Sequence, residues 1–192
     1  MATKKNEYVQ LGGILCAITL AVALVLGGVN AITVDPIAKN AALKTENALA
    51  ALIPDCEAEQ LDVPEGTTAE GYNATVEIVS AYKMTDASGN VAGYCVEVAP
   101  TGFGGGVDTM VGVKADGTIS GISILSMAET AGLGAKASEP EFADQFIDAA
   151  GDGSLKVSKD GGDIQALTGA TITSRAVTNG VDAAANYANS LS

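Results

Sequence analysis

Histidine is absent from all 192 residues, which removes a Ser-His-Asp triad, a histidine general base and a His-ligated metal from consideration. Cysteine is scarce: Cys16, Cys56 and Cys95 are too few and too scattered for a zinc or iron–sulfur site built by this chain alone. Basic residues number ten against 23 acidic ones, a net charge of −13. With the first 34 residues set aside, eight basic side chains face 22 acidic ones, a net −14. Such a surface is repelled by nucleic acid and by anionic lipid headgroups, so neither is an expected partner. The glycine fingerprint of a nicotinamide-binding fold is missing, and so are internal repeats and low-complexity tails.

What is present begins with a long apolar run. No charged residue occurs from Tyr8 to Val34, and Leu11 to Val34 is dominated by Leu, Val, Ile, Ala and Gly. A helix of that length crosses about 30 Å of hydrocarbon. Lys4 and Lys5 precede it and Asp35-Pro36 follows, so the excess of basic residues on the N-terminal side puts residues 1–10 in the cytoplasm. Everything after the 11–34 transmembrane helix then lies on the extracytoplasmic side of the cell (inner) membrane. A cleaved signal peptide is the competing reading. Val29-Asn30-Ala31 is a poor cleavage site, however, and bulky Leu15 beside Cys16 spoils a lipoprotein box. A retained single-pass anchor is the expectation. Cys16 is then a small apolar packing residue, while Cys56 and Cys95 lie outside, either paired as a disulfide or as free thiols.

Residues 35–192 make one domain's worth of chain. Pro36 marks a helix start, and Ile37, Ala41, Leu43, Ala48, Leu49 and Leu52 recur at helical spacing up to Pro54. The acidic stretch Asp55–Gly71, with Pro64 and Gly66, reads as a loop, so 35–71 is a connecting helix and loop. Thr75–Val79 alternates as a strand, and the Asp86–Asn90 turn leads to a second strand at Tyr94–Val98. Val107–Lys114 and Thr118–Leu125 flank Ala115-Asp116-Gly117 as a hairpin. Glu141–Ala150 reads as an amphipathic helix with Phe142 and Phe146 on one face. A last helix runs from about Ser174 to Leu191, weakened by Gly180. The class is α+β, an antiparallel sheet with flanking helices behind a single N-terminal transmembrane helix.

Ahead of that last helix stands Leu167-Thr168-Gly169-Ala170-Thr171-Ile172-Thr173-Ser174. Gly169 lets the backbone turn sharply, and Ser174 is expected to cap the helix, whose N–H groups and positive dipole end favour an anion. Taken alone, the segment is equally well a Thr/Ser-rich turn that caps a helix. Upstream lie Phe103-Gly104-Gly105-Gly106, after Gly102, and Ala128-Glu129-Thr130-Ala131-Gly132-Leu133-Gly134.

These three motifs, in this order, resemble the FMN-binding domains of the RnfG and NqrC subunits of ion-translocating electron-transfer complexes. The resemblance covers most of 72–190 and the anchor, and it implies an FMN-binding domain over 72–192. It implies that Thr171 carries FMN through a phosphoester. Thr168, Gly169, Ala170 and Thr173 would shape the site. Glu129 and Thr130 would offer hydrogen bonds to the ribityl chain or ring edge, and Leu133 with Gly134 would lie against the isoalloxazine. Ala131 stands where relatives usually have proline. Gln165 stands six positions before Thr171, where relatives often have an acid; the nearest acid is Asp163. The compact length favours the RnfG type: an electron relay, not catalytic alone, in a complex coupling ferredoxin:NAD electron transfer to Na⁺ or H⁺ translocation. Its partners would be the complex's other membrane and iron–sulfur subunits, with a flavin transferase for maturation. A tethered flavodomain of another extracytoplasmic reductase, an NqrC-like subunit and a cofactor-free anchored binding module remain the alternatives.

Overall fold

A computed structural model describes residues 2–191. The side chains of residues 2–7 and 9 are not among those described, so Lys4 and Lys5, which carry the expected orientation, lie outside the described residues. The chain divides into two units, Met1–Leu43 and Lys44–Ser192. Helix α1 (Ala2–Leu52) makes up the first unit and enters the second. It contains a helix long and apolar enough to cross a membrane, within Gln10–Leu52, with mean hydropathy 2.4. Leu, Val and Ile side chains from Leu11 to Val34 face outward. Thr19 and Thr33 donate their hydroxyls to the carbonyls of Leu15 and Val29, each at 3.0 Å, which satisfies them without water. The helix does not begin at Pro36 but runs through it. Proline removes one backbone bond, and the strong helix formers that follow it, Ala38, Ala41, Ala42 and Leu43, carry the helix past it.

In the second unit an antiparallel sheet is built from β1 (Cys56–Leu61), β2 (Thr68–Glu70), β3 (Thr75–Asp86), β4 (Val91–Val98), β5 (Val107–Lys114) and β6 (Ile119–Met127). The strand order is β1-β3-β4-β5-β6, with β2 beside β3. The hairpins at 86–90 and 115–117 form as expected, with Gly117 at φ +83. The stretch expected as a loop, 55–71, instead supplies β1 and β2. Cys56–Leu61 has little apolar character, and its pairing with Ala81–Asp86 on the long strand β3 is what makes it a strand.

Both faces of the sheet are covered. Tyr94, Val96, Val98, Val111 and Val113 look one way, onto the second long helix and the Phe142–Phe146 turn, while Cys95 and Met110 look the other way. There the end of α1 (Ala48, Leu49, Leu52) and Ile53 pack down. Gly93 and Gly112 make room for them: a Cβ on either would stand 3.0 Å from Ile53 Cδ1 or Leu52 Cβ. Cys56 and Cys95 are free thiols. β3 runs between their strands, a lateral separation of about 9–10 Å, beyond the roughly 7 Å limit for a disulfide. Burial, and then the neighbouring Cys56, push the Cys95 thiol up to about 12.

The expected helix over 141–150 is shorter. α2 spans Pro140–Ala143 and a 3-10 turn follows at Asp144–Phe146. Phe142 and Phe146 still share a face, edge to face with centroids 5.5 Å apart. The helix stops because the chain returns to the sheet edge: Asp148 N–H donates to the Ile119 carbonyl and Ile119 N–H to that of Ala149. The long helix α3 spans Thr171–Ser190, with Val177, Val181, Ala184, Ala185 and Ala188 fully buried. Gly180 does not weaken it in isolation; its bare Cα lets the helix approach Pro100, where a Cβ would stand 2.7 Å from Cγ.

Asp182, on the buried side of α3, accepts the Leu155 N–H at 3.2 Å through one oxygen. Its other oxygen and the Thr178 hydroxyl one turn away have no hydrogen-bond partner among the described residues. Burial raises its pKa above the ordinary 3.8, and Asp152 adds to this. The folded state therefore holds this proton more tightly than the unfolded chain. Its stabilising contribution is complete below pH 3.8 and is lost as pH rises through the folded value. Asp182→Asn keeps the acceptor for Leu155 and removes the charge. It should stabilise the domain near pH 7 by about 1–3 kcal/mol, and the gain should shrink in melts run toward pH 4.

Candidate functional site

Three segments meet at the first turn of α3. The turn Leu167–Ala170 closes with Ala170 N–H on the Leu167 carbonyl at 3.1 Å, and Gly169 takes φ +79, which its position in such a turn requires. Helix α3 starts at Thr171, three residues before the expected Ser174, and Ala170 at the N-cap offers no side-chain cap. Ser174 has another task. Its hydroxyl donates to the Ala170 carbonyl at 2.9 Å and accepts the Leu167 N–H at 2.9 Å, locking the turn onto the helix. The first backbone bond of the helix is Ser174 N–H to Ala170. The N–H groups of Thr171, Ile172 and Thr173 therefore belong to the uncapped first turn, where an anion is favoured.

The second segment, Gly102–Gly106, is a tight hairpin tip, with Gly102 N–H on the Gly105 carbonyl at 2.8 Å. The third is the bend at 128–134, in which Leu133 and Ala135 N–H groups both bond the Thr130 carbonyl. The bend forms with Ala131 in place of proline, held by these bonds and by Gly132 at φ +77.

Glu129 joins all three. Its carboxylate accepts Gly104 N–H at 3.0 Å and the Thr173 hydroxyl at 2.9 Å. It also fills the space that Cβ atoms on Gly102 and Gly134 would need. Each of its oxygens thus accepts one protein donor, a structural role absent from the sequence reading, and keeps a further lone pair. Thr173 is fully buried and acts as the other half of this clamp.

Together the segments enclose a cleft of about 430 Å³ lined by Phe103, Glu129, Thr130, Leu133, Gly134, Lys159, Gly169, Ala170, Thr171, Ile172 and Thr173. That volume lies in the range of roughly 300–1,000 Å³ typical of cofactor sites. Phe103, Leu133 and Ile172 are exposed apolar side chains at its mouth, 72%, 44% and 54% accessible. Eight of the nine expected site residues are brought together here. The ninth, Thr168, is exposed and lines a different cleft with Gln145 and Gln165.

Lys159 escaped the sequence reading. It sits in a 3-10 turn, Ser158–Asp160, and its ammonium donates to Thr171 Oγ1 at 2.7 Å. The neighbouring Asp160 is held by Arg175, with Nε at 2.8 Å and Nη2 making a second bond, and by the Tyr72 hydroxyl at 2.9 Å. Arg175, then Tyr72, keep the Asp160 carboxyl below its ordinary range. Burial, then Asp160, push the Tyr72 phenol up to about 12. The signal was a lysine twelve residues before Thr171, whose proximity only the fold reveals. An uncapped helix start, a cation on the Thr171 hydroxyl and apolar walls suit a ligand that has both a phosphate and an apolar ring.

Glu129→Ala should free the Gly102–Gly106 tip from α3. Amide exchange at Gly104 should rise and stability fall by about 1–3 kcal/mol, whereas Glu129→Gln, which keeps an acceptor, should lose less.

Residues 102–186 match the family described as FMN-binding domain. The RnfG-type subunit of an ion-translocating oxidoreductase complex from Methanosarcina acetivorans is 42% identical over 112 residues, covering 57% of this chain and 58% of that protein. The RnfG-type subunit of the Na⁺-translocating ferredoxin:NAD⁺ oxidoreductase complex of Acetobacterium woodii is 37% identical over 90% of this chain and 87% of its own length. The corresponding protein of Shewanella baltica is 32% identical over 96% and 91%. With most of both chains aligned to the latter two, and the three glycine-bearing segments gathered around one cleft, this protein belongs to the RnfG family of ion-translocating oxidoreductase complex subunits and contains an FMN-binding domain.

Proposed function

We propose that Thr171 carries FMN through a phosphoester and that the domain relays electrons within a membrane complex. That complex would couple electron transfer between ferredoxin and NAD to Na⁺ or H⁺ translocation; the name of the Acetobacterium relative gives ferredoxin, NAD⁺ and Na⁺ for its own complex. The observation that carries the reading is Thr171 itself, half-buried at the uncapped start of α3 and hydrogen-bonded to Lys159 in an apolar-mouthed cleft. FMN, when bound, supplies the redox chemistry. The chain's residues do the rest. The α3 first-turn N–H groups and Lys159 receive the phosphate. Phe103, Leu133 and Ile172 shield the ring from water, the exposed Thr130 offers a hydroxyl at the cleft edge, and the Glu129–Thr173 clamp keeps the walls together.

We assign residues 1–10 to the cytoplasm, 11–34 to the membrane, 35–71 to the connection and 72–192 to an extracytoplasmic FMN-binding domain. A covalent link suits that location, since no pool of free FMN replenishes a lost cofactor there. A diester also carries a single negative charge, easing its placement in an acidic domain. A flavin transferase makes the link: the Thr171 hydroxyl oxygen gives up its proton and bonds the flavin-side phosphorus of a flavin dinucleotide, whose phosphoanhydride bond breaks to release the nucleoside monophosphate. Electrons reach and leave the flavin through the membrane and iron–sulfur subunits.

Co-expression with a flavin transferase should give a protein that fluoresces in a denaturing gel, with the adduct mapped to Thr171 by peptide mass. Thr171→Ala should fold and stay colourless. An adduct on Thr168 or Thr173 with Thr171 unmodified overturns the assignment. For orientation, Asp152→Cys places a thiol at an exposed position. It should react with a membrane-impermeant reagent in intact cells once any outer membrane is made permeable; reaction only after lysis reverses the topology.

A further inference from the structure

We infer that Lys159 is the positioning residue and counter-ion for the phosphate on Thr171, and that the Tyr72–Asp160–Arg175 cluster exists to present it. This rests on the reading that FMN is attached at Thr171. Three observations carry the inference.

First, the ammonium of Lys159 makes its hydrogen bond to Thr171 Oγ1 at 2.7 Å, and no carboxylate lies within ion-pair distance of it among the described residues. The ion-paired cations are Lys114, on Asp148, and Arg175, on Asp160. Other lysines, such as Lys44 on the Leu125 carbonyl, also lack a carboxylate, but Lys159 places its uncancelled charge on the hydroxyl of Thr171 at the mouth of the cleft, where it favours an anion.

Second, an ammonium can only donate, so Thr171 Oγ1 is the acceptor in this bond. The contact fixes the side-chain rotamer and turns the hydroxyl hydrogen away from Lys159. When the oxygen becomes part of a phosphodiester, the same ammonium lies within reach of the ester oxygens as a charge-assisted donor.

Third, the backbone from which the Lys159 side chain reaches is anchored. The next residue, Asp160, is gripped by Arg175 on the second turn of α3 and by Tyr72 from the chain ahead of β3. That grip ties the 3-10 turn to the helix that bears Thr171. It also neutralises Asp160, so the carboxylate beside Lys159 does not cancel the lysine's charge at the threonine.

The test uses the full chain co-expressed with a flavin transferase. Flavinylated fraction is followed over time by in-gel fluorescence and intact mass, and the phosphorus-31 shift of the folded product is measured. Lys159→Ala should slow incorporation by about tenfold and move the phosphodiester resonance, with the melting curve of the unflavinylated protein unchanged. Lys159→Arg should restore most of the incorporation and a shift near that of the wild type. Asp160→Asn should give a smaller change in the same direction. Wild-type protein flavinylated at Thr171, with Lys159→Ala matching it in both rate and phosphorus-31 shift, overturns the role given to Lys159. Wild-type protein with no adduct at Thr171 overturns the attachment reading itself, and this inference with it.

Discussion

The seating of α3 on the sheet is the constraint on which the site depends. Its inner face is Val177, Val181, Ala184, Ala185 and Ala188, all fully buried against Val96, Val98, Val111 and Val113. Small side chains at successive turns let the helix lie close, and Gly180 extends that approach to Pro100. Close packing leaves little freedom to slide, so the first turn of the helix arrives at one place relative to the hairpin tip and the bend. Polar bonds then refine the position: Asn179 takes the Asn73 and Ala74 N–H groups, and Thr173 meets Glu129. The cleft at the first turn of α3 inherits its geometry from the core.

Hairpins with alternating apolar residues and a turn glycine were legible in the sequence, as was the apolar run at the start, because each signal is local. Thr75–Val79, Tyr94–Val98 and Val107–Lys114 carry their own patterns, whereas the extensions of β3 to Asp86 and of β4 back to Val91 show only in the pairing. Cys56–Leu61 does not, since its strand character is lent by β3. The helix expected over 141–150 failed for a related reason: hydrogen bonds to a distant strand edge outweigh local helical periodicity. At the site, the residues that surround the cleft were legible from motif order, but their division of labour was not. Glu129 is named by the resemblance as a group that faces the flavin; the fold adds a second task, since its two oxygens accept Gly104 N–H and the Thr173 hydroxyl. Ser174 reads as a cap yet locks the turn instead, and Lys159 carries no sequence signal that links it to Thr171.

The chain also reconciles an acidic domain with an anionic ligand. Long-range charge repels a phosphate, but fields between exposed groups fade over about 8–10 Å in physiological salt. Inside the cleft the nearest charges matter more: Lys159 and the positive end of α3 favour an anion, while the Asp160 charge is balanced by Arg175. Glu129 lies on the cleft wall, its oxygens facing protein donors.

The departure at Gln165 can be weighed on the same footing. The backbone there is held by Gln145, whose side-chain oxygen accepts the Gln165 N–H at 2.6 Å and whose amide reaches the Gln165 carbonyl at 3.4 Å. The Gln165 side chain is exposed, with a long contact to the Ser158 hydroxyl. An acid at this position is therefore not needed to shape the turn ahead of Thr171, because side-chain bonds from Gln145 and Ser174 already do so. Gln165 lines an outer cleft with Thr168, apart from the cleft that Thr171 lines, so the residue at 165 can change without altering the geometry of the turn.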